Sequence, residues 1–185
     1  MVANEASARN DYTSIAKLLH WFMAALLIGV WIVGFLLDDM PKGPDKMAVV
    51  NLHKAVGSTV IVLVGLRIVW RLFHPVPRLP DSIPPVLQLI ARLGQFLLYA
   101  LMIGMPVSGW LMSSAFGYPV MMAGIIEMPN PFSAPDPELA QAFAKAHGLM
   151  AWILALTVIA HIALALKHHF FAKNDVLLRM LPRLR

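Results

Sequence analysis

The chain reads as an all-α integral membrane protein, a four-helix bundle with both termini on the cytoplasmic side. Three observations predict this. Of the 185 residues, 59% are hydrophobic and mean hydropathy is +0.70, too apolar for a water-soluble domain of this size. Four separate stretches reach the roughly 20 apolar residues that carry a helix across a bilayer. The basic residues divide unevenly between the two sides that four crossings create. The lipid bilayer is therefore the first expected partner. The apolar stretches leave no room for a soluble unit, so residues 1–185 are expected to form a single transmembrane domain.

The first span covers about 15–37 and stops at Asp38, Asp39 and Pro41. The polar segment before it lacks the short apolar core and small-residue cleavage site of a signal peptide, so this span is expected to persist as a helix. The second covers about 48–73 and ends at His74-Pro75. Pro75, Pro77, Pro80, Pro84 and Pro85 then keep the connection non-helical. The third covers about 86–116, with a kink expected at Pro106. A longer connection, 117–139, carries Pro119, Pro129, Pro131, Pro135 and Pro137. The fourth span, about 140–171, leads into a basic tail.

With the N-terminus inside, Arg9, Lys17, Arg67, Arg71, Arg78, Arg92, Lys167, Lys173, Arg179, Arg183 and Arg185 lie on the cytoplasmic side. Lys42, Lys46, Lys54 and Lys145 lie on the other, a split of 11 to 4 that sets the orientation. The net charge of +5 thus reflects topology and not nucleic-acid binding. The absence of cysteine excludes disulfides, thiolate iron–sulfur clusters and covalently attached c-type haem.

Four histidines fall inside the apolar segments: His20, His53, His147 and His161. Ionisable residues are costly in hydrocarbon and mark function there. The 14 residues from His147 to His161 correspond to about 21 Å of helical rise and nearly whole turns, so both rings leave one face. Alternating helix direction then sets depth. His20 and His161 fall near the inner side, His53 and His147 near the outer. A histidine packed between helices and bonded to a carbonyl is the bland alternative for any one of them. Two pairs at matched depths point instead to two stacked metal centres. Zinc sites gather three or four protein ligands; two-by-two pairing suits haem held by two histidines.

The same offset of 14 leads from His20 to Gly34, where a missing side chain would let the helix approach the face of a flat porphyrin, and from His53 to Arg67. Arg67, and Arg71 one turn on, would suit anionic haem propionates. Gly57 is a second clearance candidate. His168 shares the His161 face, placed for an inner propionate or a quinone head group, or for capping the helix end. His169 and His74 read as interfacial. The twelve methionines are scattered and read as apolar filler, not copper ligands. Gly94, Gly104 and Gly109 read as helix-packing positions.

These features carry a resemblance. L-L-H-W at 18–21, N-L-H-K-A-V-G at 51–57, K-A-H-G at 145–148 and H-x6-H-H-F-F-x3-D-x-L-L-R-M-L-P at 161–182 are similar to the bacterial cytochrome b561 family, four-helix di-haem cytochromes. The resemblance covers nearly the whole chain. It implies two non-covalent b haems, one on His20 and His161 and one on His53 and His147, in the bacterial inner membrane. Within the family it is strongest toward small stand-alone members that oxidise superoxide and reduce ubiquinone. Sibling members conduct electrons for a soluble redox partner, a non-enzymatic alternative. A transporter fits poorly, since no broken-helix pair or acidic relay is evident.

Superoxide is an anion and would be steered by positive charge. Lys54 and Lys145, beside the outer histidines, are the candidates for that docking site, or they pair with outer propionates. The outer side also carries Asp38, Asp39, Asp45, Glu127, Asp136 and Glu138, so only a local lysine cluster would steer.

Overall fold

In the computed structural model, residues 11–80 and 82–182 are described; Arg9, Arg183 and Arg185 of the charge count lie outside them. Four long helices run up and down: α1 (Ser14–Asp39), α2 (Pro44–Phe73), α3 (Pro85–Ala115) and α4 (Pro137–Phe170). Each is long and apolar enough to cross a membrane. No span buries more than 17% of its most apolar stretch, so the greasy outer surface is the one a bilayer would cover.

Local chemistry sets the helix ends. Thr13 caps α1, its hydroxyl accepting from the Ala16 N–H. Helix α2 begins four residues before the apolar stretch because Pro44 sits pre-shaped in its first turn, with Asp45 beside it. It stops before Pro75, which disfavours helical geometry at His74. Helix α3 continues through Pro106. It ends in a Schellman turn: Gly117 takes a positive φ of 81°, its N–H bonding Ser114 O, while Tyr118 N–H bonds Ser113 O. Helix α4 starts three residues earlier than expected, because Asp136 accepts from the Leu139 N–H and Pro137 follows.

Close backbone packing joins α1 to α2, α2 to α3 and α3 to α4. The shared core is Met23, Val60, Val64 and Met102, with Leu27, Leu63, Ile68 and Tyr99 against it. No comparable packing closes the ring from α4 to α1 or α2. Side chains span that gap instead, among them Trp31, whose indole N–H bonds Ala151 O, and the ring contacts of Trp152 with Trp31 and Phe35.

The long connection is not wholly irregular. It forms a small antiparallel hairpin, β1 (Met121–Met122) and β2 (Ile126–Glu127), turning at Ala123 and Gly124 with positive φ. Ala123 N–H bonds Ala55 O, seating the hairpin on the first half of α2. At the opposite end of the bundle the chain after α4 folds back. Met180 O accepts from the Trp21 indole, and Arg179 donates to Arg78 O while pairing with Asp175 at 2.9 Å. Both described chain ends therefore lie at one end of the bundle, called here the terminal end; the other is the hairpin end.

Candidate functional site

Two histidine pairs bridge the gap beside α4. At the terminal end His20 of α1 faces His161 of α4, with ring centres 6.3 Å apart. At the hairpin end His53 of α2 faces His147 of α4 at 6.4 Å. The rings are steeply inclined to one another, by 64° and 78°. A metal–imidazole bond of about 2.0–2.1 Å puts a metal about 3.2 Å from each ring centre, so one atom in line between two rings would separate them by roughly 6.4 Å. Both pairs match that spacing. Among the described residues no cluster of three or more His, Asp or Glu side chains forms a closed metal cage. The donor chemistry is therefore two neutral nitrogens per centre, which suits a metal whose other ligands come from a macrocycle.

The backbone around the hairpin-end pair is shaped to these rings. A Cβ on Gly34 would stand 2.9 Å from His53 Cε1, and one on Gly109 would stand 3.0 Å from His147 Cε1. Both glycines make room for an imidazole. The role expected for Gly34, clearance, is thus toward the His53 ring. Gly109, read from sequence as a helix-packing residue, serves His147 instead. Gly104 does pack helix on helix, since a Cβ there would stand 3.2 Å from Met150 Sδ, whereas among the described residues a Cβ on Gly94 would meet nothing within 4 Å and one on Gly57 only Val30 at 4.0 Å.

His147 Nδ1 lies 3.0 Å from Ser108 Oγ and 3.1 Å from Met105 O. Sequence reasoning missed Ser108; its available signal was a serine-glycine step just after Pro106 in an apolar helix. His53 Nδ1 is buried and has no hydrogen-bond partner in the described residues.

At the terminal end the His20 ring packs edge-on against Trp21, 5.2 Å between centres, and its Nδ1 lies 3.5 Å from Arg67 Nη2. Arg67 Nε donates to the Tyr99 hydroxyl at 3.0 Å, and Nη1 to Ala16 O at 3.4 Å. Arg71 lies over the Tyr99 ring, 5.7 Å from its centre. Burial raises the Tyr12 phenol above its ordinary range, against the opposing pull of Arg71, Arg67 and Arg179. Lys17, itself buried, pairs with Asp11 at 2.9 Å. The terminal end thus gathers a half-buried arginine–tyrosine cluster beside one histidine pair.

His74 stacks flat on Trp70, 3.9 Å between ring centres, and its Nδ1 lies 3.1 Å from Trp70 O. His168 Nδ1 lies 2.9 Å from the Asn174 side-chain amide. His168 lines a cleft of about 210 Å³ between the start of α3 and the end of α4, with Lys167, Ser82, Leu87 and Leu164. That lining includes neither Arg71 nor His74, so His168 does not join the arginines.

The two lysines separate. Lys54 Nζ donates to Pro119 O at 2.8 Å and to Ser113 Oγ at 3.4 Å, tying α2 to the connection after α3. Sequence reasoning treated it as available for an anion; its ammonium is already held by protein oxygens. Lys145 is exposed on α4, two residues before His147.

Comparison with known proteins follows the same lines. A family model described as prokaryotic cytochrome b561 matches residues 11–183. The chain is 32% identical over 180 residues to "Cytochrome b561 homolog 2" of Escherichia coli (strain K12), covering 93% of this chain and 92% of that protein. It is 28% identical to "Probable superoxide oxidase CybB" of Yersinia pestis over 174 residues, covering 94% and 97%. It is 26% identical to "Cytochrome b561 homolog 1" of Escherichia coli (strain K12) over 176 residues, covering 94% and 98%.

Proposed function

The chain belongs to the prokaryotic cytochrome b561 family, multi-pass inner-membrane electron-transfer proteins that bind b-type haem, and from that premise we propose that it holds two b haems and passes electrons between the two faces of the membrane. His20 and His161 are the proposed ligands of one haem, His53 and His147 of the other. The observation that carries this is the pair of matched ring separations, 6.3 and 6.4 Å, at two levels of one bundle. The positive-inside count supports a cytoplasmic terminal end.

Held by two histidines, each haem would supply one-electron exchange. The protein's part is to orient and insulate. Met105 O and Ser108 hold the His147 ring, and Trp21 and Arg67 border His20. Arg71 is the proposed cation for a propionate at the terminal end. Arg67, the other residue expected there, already directs N–H groups to Tyr99 and Ala16, with Nη2 3.5 Å from His20 Nδ1. His168, with Lys167 and Asn174, supplies polar groups to the lining of a mostly apolar cleft, a setting suited to a quinone head group. Pyridine haemochrome analysis of the purified protein is expected to give about two b haems per chain, extractable by acid–acetone. A ratio of one removes one of the two pairs from the proposal.

For the reaction, we propose superoxide oxidation at the hairpin end with ubiquinone as acceptor. The similarity to a protein named as a probable superoxide oxidase supports this, as does the exposed cation Lys145 at the hairpin end of α4, two residues from His147. A steered anion reacts more slowly as salt rises, since charge is screened within about 8–10 Å at moderate ionic strength. In stopped-flow mixing with superoxide, the reduction rate should fall with salt, and Lys145→Gln should lower both the rate and its salt slope while haem is retained. Lys54→Gln also cuts the bond to Pro119 O and so tests charge less cleanly. A second reading, an electron-conducting subunit for a soluble partner, is favoured by the commitment of Lys54 to protein oxygens. Haem that stays oxidised under superoxide, yet is reduced promptly by quinol or a soluble donor, selects that reading.

A further inference from the structure

The two histidine pairs have opposite electrostatic surroundings. At the hairpin end, Met105 O can only accept a hydrogen bond, so His147 carries its proton on Nδ1 and donates it there and to Ser108 Oγ. The Ser108 hydroxyl spends its own hydrogen on Met105 O at 2.8 Å, which leaves an oxygen lone pair facing the ring. Ser108 is only 5% exposed, so water does not compete. Such donation pushes electron density into the ring and makes Nε2 a stronger donor.

At the terminal end the neighbour of His20 Nδ1 is a guanidinium, 3.5 Å away. Arginine is always charged and only donates, so it cannot accept a proton from His20. The groups that hold it there, the Tyr99 hydroxyl and the Ala16 carbonyl, are uncharged and do not cancel its charge. A fixed cation beside a metal ligand pulls electron density away, and in a low-dielectric interior its field is weakly screened.

We infer that Ser108 and Arg67 set unequal electron affinities at the two pairs, so that the His20/His161 centre is the stronger electron acceptor and transfer runs downhill from the hairpin end to the terminal end. Electron-rich ligands stabilise the oxidised state, and a nearby positive charge stabilises the reduced one. The transfer moves one electron, oxidising the hairpin-end centre as it reduces the other, with no bond made and no proton moved. Ser108 acts through His147 and Arg67 through His20, so both are positioning residues. The inference rests on the two-haem reading.

Potentiometric titration of the holoprotein in nanodiscs, followed optically and by EPR, tests it. His161→Ala and His147→Ala, each leaving one pair, assign the two waves. The His20/His161 wave is expected at the higher potential. Ser108→Ala should raise the hairpin-end wave alone, by about a tenfold change in its reduction equilibrium, or 59 mV for one electron. Arg67→Gln should lower the terminal-end wave alone by a similar factor. Ser108→Thr and Arg67→Lys, which keep hydroxyl and charge, should restore the wild-type values. Two haems with the reverse order in the unmodified protein overturn the inference without any variant. Shifts that are absent, opposite in sign or shared equally by both waves also overturn it. Fewer than two haems in the unmodified protein is a different failure, that of the underlying reading.

Discussion

Replacing His161 with alanine is expected to lower haem content from about two per chain to about one, removing the terminal-end centre and sparing the other. His147→Ala should do the reverse. The two pairs share no ring, and His147 and His161 are four turns apart on α4. Each substitution therefore leaves a single imidazole at its own level and an untouched pair at the other. Haemochrome quantitation gives the ratio, and redox titration shows which wave is gone. If one substitution leaves both waves, the pairing is wrong. If it removes both while circular dichroism shows an intact helical bundle, the two levels are not independent.

Gly109→Val should cost nearly as much as losing His147 itself. A Cβ there would lie 3.0 Å from His147 Cε1 and 3.3 Å from Nδ1. The ring cannot retreat cheaply, because its Nδ1 is pinned by Ser108 and Met105 on the same helix, and α3 and α4 pack closely. Displacing it costs ligand geometry, and disturbances of a ligand's supporting shell typically weaken binding by about 10–100-fold. The expected readout is selective loss of the hairpin-end wave under haem-limiting conditions. Gly94→Ala is the control, since a Cβ there meets nothing within 4 Å. Unchanged hairpin-end haem in Gly109→Val would mean that the ring moves freely and the close approach is incidental.

The spans were legible because hydrocarbon demands long apolar stretches, and the ring pairs because a 14-residue interval and alternating helix direction fix depth and face together. Depth, however, is not direction. Arg67 sits level with His20 as the offset from His53 implied, yet it reaches the Nδ1 edge of that ring. Lys54 adjoins His53 in sequence but points around the helix to a loop carbonyl. Ser108 and Gly109 were hidden because α3 carries no histidine, so nothing in its sequence reveals which face meets α4. The early start of α4 was written in Asp136-Pro137-Glu138, a capping signal overshadowed by the proline-rich connection. The hairpin rests on Ala123 adopting positive φ, which alanine composition does not advertise.

One feature of the bundle bears on how the protein is made. Helix α4 supplies one ring to each pair, and it leaves the ribosome after α1, α2 and α3. A nascent chain with only α1, α2 and α3 in the membrane already owns the Met23, Val60, Val64 and Met102 core. Of the four paired histidines it contains only His20 and His53, at different levels, and no complete pair. On the two-haem reading, neither centre can be assembled from the first three helices alone, and both become possible when α4 arrives. The tail then latches, Met180 to Trp21 and Arg179 to Arg78. On the two-haem reading, cofactor insertion would therefore wait for α4, and a chain cut before α4 is expected to be a membrane-inserted but colourless bundle.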